Sequence, residues 1–193
     1  MVIGITGGVG CGKSTVMSVL AETYGAKTIL ADEIGHEALQ PGKETYYLIR
    51  ELFGDSVVFP DGQLDREQIA QLIYGDEALR NKMNEIVHPY VKKQIKKFVE
   101  EWGKETLVAV ETALMFETGC HEFCNQVWYV KTSPEKRIQR LIQSRGYTKE
   151  KAESIMAAQM SDEEGEKLCD ACVINDGEIK DLQIRLQELL GIY

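Results

Sequence analysis

Val2-Ile3-Gly4-Ile5-Thr6-Gly7-Gly8-Val9-Gly10-Cys11-Gly12-Lys13-Ser14-Thr15 is an apolar run followed by a complete match to G-x-x-x-x-G-K-[ST]. The apolar run predicts a buried strand. After the loop, Val16, Val19, Leu20 and Tyr24 recur at helical spacing, and Gly25 reads as the helix stop. Strand, glycine-rich loop and helix in that order make a concave nest for phosphate. Glycines let successive N–H groups turn inward, and the helix start adds a partial positive charge. The spacing assigns Gly8, Val9, Gly10, Cys11 and Gly12 to the cradle and Lys13 to the β and γ phosphates. Ser14 falls to a bridging magnesium ion and Thr15 to the α phosphate. The stretch predicts binding of a nucleoside triphosphate.

Beyond Gly25, Lys27-Thr28-Ile29-Leu30-Ala31 predicts a short strand ending on Asp32. In open parallel sheets the reactive groups collect at the carboxyl ends of strands, and the reading puts Asp32 one strand over from the loop. From Ile34 to Trp102 the pattern is helical, over Glu37 to Gln40, Glu44 to Phe53, Arg66 to Tyr74, Glu77 to Ile86 and Pro89 to Trp102. Turn signals at Pro41-Gly42, Gly54-Asp55, Pro60-Asp61-Gly62 and Gly75-Asp76 separate these segments. Strand patterns resume at Leu107 to Glu111, Gln126 to Val130 and Ala171 to Ile174. Ser133-Pro134 opens a helix to about Gly146, Thr148 can cap another, and Glu178 to Leu190 closes the chain as an amphipathic helix.

The expected class is α/β, a three-layer P-loop NTPase fold whose five-stranded parallel sheet carries helices on both faces. Residues 1–33 and 104–193 form the nucleotide-binding core, with a helical lid at about 133–165. Residues 34–103 form a helical acceptor-binding insertion.

A net charge of -9 over 193 residues argues against duplex nucleic acid as a partner, which calls for a broad basic surface. No apolar run reaches membrane-spanning length. Five cysteines, an odd number, and no secretory leader point to reduced thiols and a cytoplasmic chain, monomeric or weakly homo-oligomeric.

Phosphoryl transfer to an alcohol needs a cradle, a metal, positive charge on the moving group and a base for the hydroxyl. Asp32 is the candidate base, with an N-cap role as the bland counterpart. Glu111, which ends a strand read as lying beside the loop, is the candidate for ordering magnesium through water. Arg137, Arg140 and Arg145 are the lid candidates, because a planar fork suits phosphate oxygens. On a continuous helix Arg137 and Arg140 share a face, while Arg145 lies nearer the stripe of Ile138, Leu141 and Ile142. Lys92, Lys93, Lys96 and Lys97 read as a charged exposed face. Cys120 with Cys124, and Cys169 with Cys172, lack the companions a zinc site requires.

An ordered set of short motifs resembles the dephospho-coenzyme A kinase family. After the loop come Ala31-Asp32, Ile34 and His36, then Phe53-Gly54, Asp61-Gly62, Leu64-Asp65-Arg66 and His88-Pro89. Leu114-Met115-Phe116-Glu117, Arg140-Leu141, Gln159 and Asn175 follow in order, so the match covers nearly the whole chain. The resemblance implies transfer of the γ phosphoryl of ATP to the ribose 3′-hydroxyl of dephospho-coenzyme A, an enzyme of the alcohol-accepting phosphotransferase class. It implies ATP on Gly10 to Thr15, Asp32 as base, Arg140 as the lid arginine and Asn175 by the adenine. Arg66, His88 and Phe116 would lie toward the acceptor. Three positions depart from the family pattern: Leu30 replaces an acid, Ala113 a proline, and Arg140 and Arg145 are five rather than four apart. Two other readings share the loop: a nucleoside or nucleotide monophosphate-type kinase, and a nucleotide switch without an acceptor.

Overall fold

The computed structural model describes residues 1–192. Its sheet is built from β1 (Val2–Thr6), β2 (Lys27–Leu30), β3 (Val108–Glu111), β4 (Gln126–Lys131) and β5 (Ala171–Ile174), in the order β2-β3-β1-β4-β5. β1 runs parallel to β3, with Ile5 opposite Glu111, and parallel to β4, with Thr6 opposite Tyr129. β4 runs parallel to β5. A parallel sheet needs crossovers, and here helices fill them.

One unit comprises residues 1–29 and 98–193. Its core gathers Ile3 and Ile5 of β1, Trp128 and Val130 of β4, and Val173 of β5. Against them pack Val16, Met17 and Leu20 of α1 (Lys13–Tyr24) and Leu182 and Leu186 of the last helix, α9 (Ile179–Leu190). Strand alternation sends Gly4 the other way, where a Cβ would lie 2.8 Å from Met115 and 3.0 Å from Cys124. Gly25, at φ 66, terminates α1 by donating to Ala21. Between β4 and β5 lie α6 (Pro134–Arg145), α7 (Lys149–Ala157) and α8 (Asp162–Leu168). The pattern predicted two helices there. The third is short and starts from a capping box between Ser161 and Glu164.

The second unit, residues 30–97, has its own core of Leu39, Tyr46, Ile49, Val57, Leu64 and Ile69. Its helices are α2 (Ala31–Ala38), α3 (Glu44–Phe53), α4 (Arg66–Ile73) and most of α5 (Glu77–Trp102). α4 starts where Asp65 accepts the Gln68 N–H. Phe53, Met83, Ile86 and Val87 pack against this core.

Two predicted boundaries are corrected. Pro89 was expected to begin a helix, yet α5 runs through it unbroken. An interior proline forfeits one hydrogen bond and costs about 3 kcal/mol. The apolar series Met83, Ile86, Val87, Val91 and Ile95 continues across it, and burial of Val91 and Ile95 contributes about 1.5–3 kcal/mol each, enough to offset that loss. Asp32 was expected at a strand end before a helix near Ile34. β2 stops at Leu30, and Asp32 lies in the first turn of α2, whose N-cap is Leu30. Burial of Ala31, Ile34 and Ala38 at helical spacing draws the helix start forward. Among the described residues no helix is long and apolar enough to cross a membrane.

Candidate active site

The phosphate loop and its supports belong to the unit of residues 1–29 and 98–193. Gly10 and Gly12 hold φ of 76 and 86, the left-handed region that side chains resist. Gly12 is the N-cap of α1 and brings no side chain to it; Thr15 N–H donates to Gly12 O at 3.0 Å, and the N–H groups of Lys13 and Ser14 are the ones left for a ligand. Lys13 folds back along the loop. Its Nζ donates to Gly7 O at 3.1 Å and Gly8 O at 3.4 Å, and lies 3.6 Å from the Glu111 carboxylate.

Glu111 is 8% exposed at the end of β3, the strand beside β1. Strand order puts β3, which ends on Glu111, beside β1 as expected, whereas β2, expected one strand over from the loop, is separated from β1 by β3. The order of strands is a tertiary fact that chain order does not carry. Ser14 is exposed in the first turn of α1.

Behind residues 10–12 the loop is braced through a carbonyl. Cys11 O accepts from Thr132 Oγ1 at 2.8 Å, Asn175 Nδ2 at 3.0 Å and Arg140 Nη1 at 3.3 Å. Arg140 also donates to Gly10 O at 3.4 Å and, through Nη2, to Asn175 O at 3.0 Å. Arg140 and Asn175, chosen separately from the sequence, thus meet at one loop residue. Burial pushes the Cys11 thiol above its ordinary range, with Lys13 opposing, so its sulfur is a small space-filling group and not a nucleophile.

At the loop's leading edge sits Arg137, only 6% exposed. Its Nε donates to Val9 O at 3.0 Å, its Nη2 to Gln159 Oε1 at 3.4 Å, and its Nη1 lies 3.7 Å from Asp162. The Val9 N–H donates to the same Gln159 oxygen at 2.8 Å. The sequence named Arg137 as one of three lid candidates, sharing a face with Arg140, and gave no sign of this depth. The missed signal is its i, i+4 relation to Leu141, since Arg137 and Leu141 are the buried residues of α6. Arg145, expected near the apolar stripe, is exposed, as is Ile142.

A cleft of about 150 Å³ adjoins the loop, lined by Gly7, Gly8, Leu114, Tyr129, Gln159 and Met160 among others. Phe116, in the turn after β3, is half-buried and tilted against His121 with ring centroids 5.2 Å apart. The other acceptor candidates belong to the second unit. There Asp32 is exposed, His88 is half-buried midway along α5, and Arg66 Nη2 lies 2.5 Å from His36 Nε2.

Comparison with known proteins gives the family of the chain. The family model described as dephospho-CoA kinase (CoaE) matches residues 1–181. A dephospho-CoA kinase of Bacillus cereus is 35% identical over 192 residues, covering 98% of this chain and 96% of the relative. A crystal structure from Thermus thermophilus superposes with a TM-score of 0.85 at 28% identity, covering 99% of this chain and 96% of that one. A dephospho-CoA kinase from Campylobacter jejuni shares the fold, with a TM-score of 0.73 at 22% identity and coverage of 98% and 95%. A phosphate loop held from behind by Arg140 and Asn175 and backed by Glu111, in a chain matched along almost its whole length, belongs to the dephospho-CoA kinase family.

Proposed function

We propose that this chain transfers the γ-phosphoryl group of ATP to the ribose 3′-hydroxyl of dephospho-coenzyme A, giving coenzyme A and ADP. The observation that carries the reading is the loop itself, with Lys13 held between two loop carbonyls and the buried Glu111. Such a site works by positioning and electrostatics, since phosphoryl transfer asks for little covalent chemistry from the protein. The first-turn N–H groups of α1 and the Lys13 ammonium receive the β and γ phosphates. Arg140 and Asn175 keep residues 10–12 in shape and lie on the nucleotide side, with Asn175 toward the adenine.

Asp32 takes the proton of the acceptor hydroxyl. As that O–H bond breaks, the ribose oxygen bonds to the γ phosphorus and the bond to the β-phosphate oxygen breaks, releasing ADP. An exposed carboxylate in the first turn of α2 is available for this task. Residues 34–103 receive the acceptor, with Arg66 and His88 contributing, and Phe116 is the acceptor-binding candidate outside that insertion. Residues 133–165 act as the lid.

The oxygen donors present suit magnesium. An exposed Ser14 hydroxyl and one carboxylate, Glu111, match an ion that completes its shell with phosphate oxygens and water. Bound there, the ion would neutralise charge on the β and γ phosphates.

A coupled assay for ADP release, run with and without dephospho-coenzyme A, tests the assignment. Release that depends on dephospho-coenzyme A and disappears in Lys13→Ala is the expected result. Phosphorylation of nucleosides or nucleoside monophosphates, with none of dephospho-coenzyme A, would replace the acceptor.

A further inference from the structure

Two donors from separate parts of the chain converge on one oxygen atom. Val9 N–H, in the loop, and Arg137 Nη2, on α6, both point at Gln159 Oε1, at 2.8 and 3.4 Å. Gln159 follows α7, so three segments distant in sequence meet at this atom.

The guanidinium at this point is built in. Val9 O receives its Nε, and Asp162 lies 3.7 Å from its Nη1. Asp162 is itself held by the Tyr129 hydroxyl at 2.7 Å, and the Tyr129 ring packs so closely under α8 that a Cβ on Gly165 would lie 2.2 Å from it. The last wall is Gly8, where a Cβ would lie 2.1 Å from Arg137 Nη2. Position 8 is a free choice in the loop signature, and unlike Gly7, Gly10 and Gly12 its φ is not positive. Glycine is required at position 8 for room, not for backbone freedom. The chain has cleared space for a cation that is costly to bury and that has its one carboxylate beyond hydrogen-bond distance.

We infer that Val9 N–H and Arg137 Nη2 form an oxyanion subsite for a γ-phosphoryl oxygen of the bound nucleotide, and that Gln159 Oε1 is its resident competitor. The inference rests on the ATP reading given above. A phosphate oxygen is anionic where the glutamine oxygen is neutral, so Val9 N–H gains a charge-assisted bond and the Arg137 guanidinium an ion pair, and the phosphate displaces the glutamine oxygen from the same donors. The adjoining cleft, of about 150 Å³ and lined in part by Gln159, leaves the amide somewhere to swing. Val9 precedes the helix start by four positions, so it lies beyond Lys13 along the loop and suits the outer phosphate that Lys13 also reaches. Arg137 thereby becomes a phosphoryl-binding residue, distinct from Arg140, whose donors are directed at loop and strand-end carbonyls.

Calorimetric titration of the full chain with ATP and with ADP, acceptor absent, separates this role from a structural one. Arg137→Gln is expected to weaken ATP by roughly tenfold or more and ADP by less than about twofold, because only ATP reaches the subsite. Gly8→Ala should do the same by pushing the guanidinium aside, and it carries the test if Arg137→Gln does not fold. Gln159→Ala removes the competitor and should tighten ATP a few-fold, leaving ADP unchanged. Equal losses for ATP and ADP in Arg137→Gln or Gly8→Ala would reduce Arg137 to a loop brace and overturn the subsite. A wild-type chain that binds neither nucleotide overturns the ATP reading beneath it, a result recognisably different from equal losses.

Discussion

Asn175 Nδ2 stands 2.2 Å from the point a Cβ on Gly12 would occupy, while donating to the neighbouring Cys11 carbonyl at 3.0 Å. The last strand's end and the start of α1 are therefore fitted to each other. Asn175→Ala removes one of three donors to that carbonyl, with Thr132 and Arg140 remaining. A net loss of about 1 kcal/mol is expected for one such bond. In a chain of this size that lowers the melting temperature by about 2–4 °C. The KM for ATP should rise several-fold as residues 10–12 loosen. An unchanged melting curve and KM would show that the other two donors suffice.

Asp32→Asn retains the shape of the side chain and its place in the first turn of α2, where the residue is exposed and not part of a core. What it removes is the capacity to accept a proton. General-base assistance contributes about 10²–10⁴ in rate, so kcat should fall within that range while ATP affinity stays near wild type. Single-turnover rates beside equilibrium titration distinguish the two effects, and wild-type turnover in this variant would remove Asp32 from the chemistry.

Much of this architecture can be read locally. The loop from Gly7 to Thr15 declares itself because its signature, strand and helix are contiguous, and Gly7, Gly10 and Gly12 answer a backbone need. Caps such as Asp65, Thr148 and Ser161 are local too, since each accepts from an N–H three residues on. What escaped was tertiary. Strand order puts β3 between β2 and β1, so the strand before Asp32 does not adjoin the loop's strand, and no spacing along the chain encodes that. Arg137 and Arg140 look alike on a helical wheel, yet one meets the leading edge of the loop and the other its back. Gly8 looked like one more loop glycine until the guanidinium against it was seen.

Pro89 misled for an energetic reason, and the same reason makes a prediction. Proline ahead of a polar-apolar stretch is a helix-start signal, but here it lies inside α5 on an exposed position. Pro89→Ala restores a backbone donor and removes a steric conflict worth about 3 kcal/mol in an interior turn. Against this, the freed backbone adds about 0.4–1 kcal/mol of unfolded-state entropy. The balance favours the variant by about 2 kcal/mol, and its melting temperature should rise by several degrees. A melting temperature lower than wild type would mean that the proline's bend is needed for the packing of Met83, Ile86 and Val87.

The start of α6 should confer an acid-sensitive increment of stability. Asp176 accepts the Ser133 N–H at 2.9 Å and the Ser133 hydroxyl at 3.0 Å, so Ser133 turns to the strand end and makes no side-chain cap of its own. The backbone hydrogen bond from Ser133 is the main cause that holds the Asp176 carboxyl below its ordinary range, with the Ser133 hydroxyl, Lys136 and Arg140 acting in the same direction. A carboxyl whose folded pKa is depressed stays ionised in the fold at pH values where the unfolded chain has begun to take up the proton. Its contribution is complete above the unfolded value of about 3.9 and declines as pH falls through the lower folded value. Melting temperatures of wild type and Asp176→Asn should therefore differ most near neutral pH and draw together as pH falls below the unfolded value of about 3.9. A difference that stays constant throughout the acid range would mean that the ionised carboxylate contributes nothing, and that the amide replaces it in geometry alone.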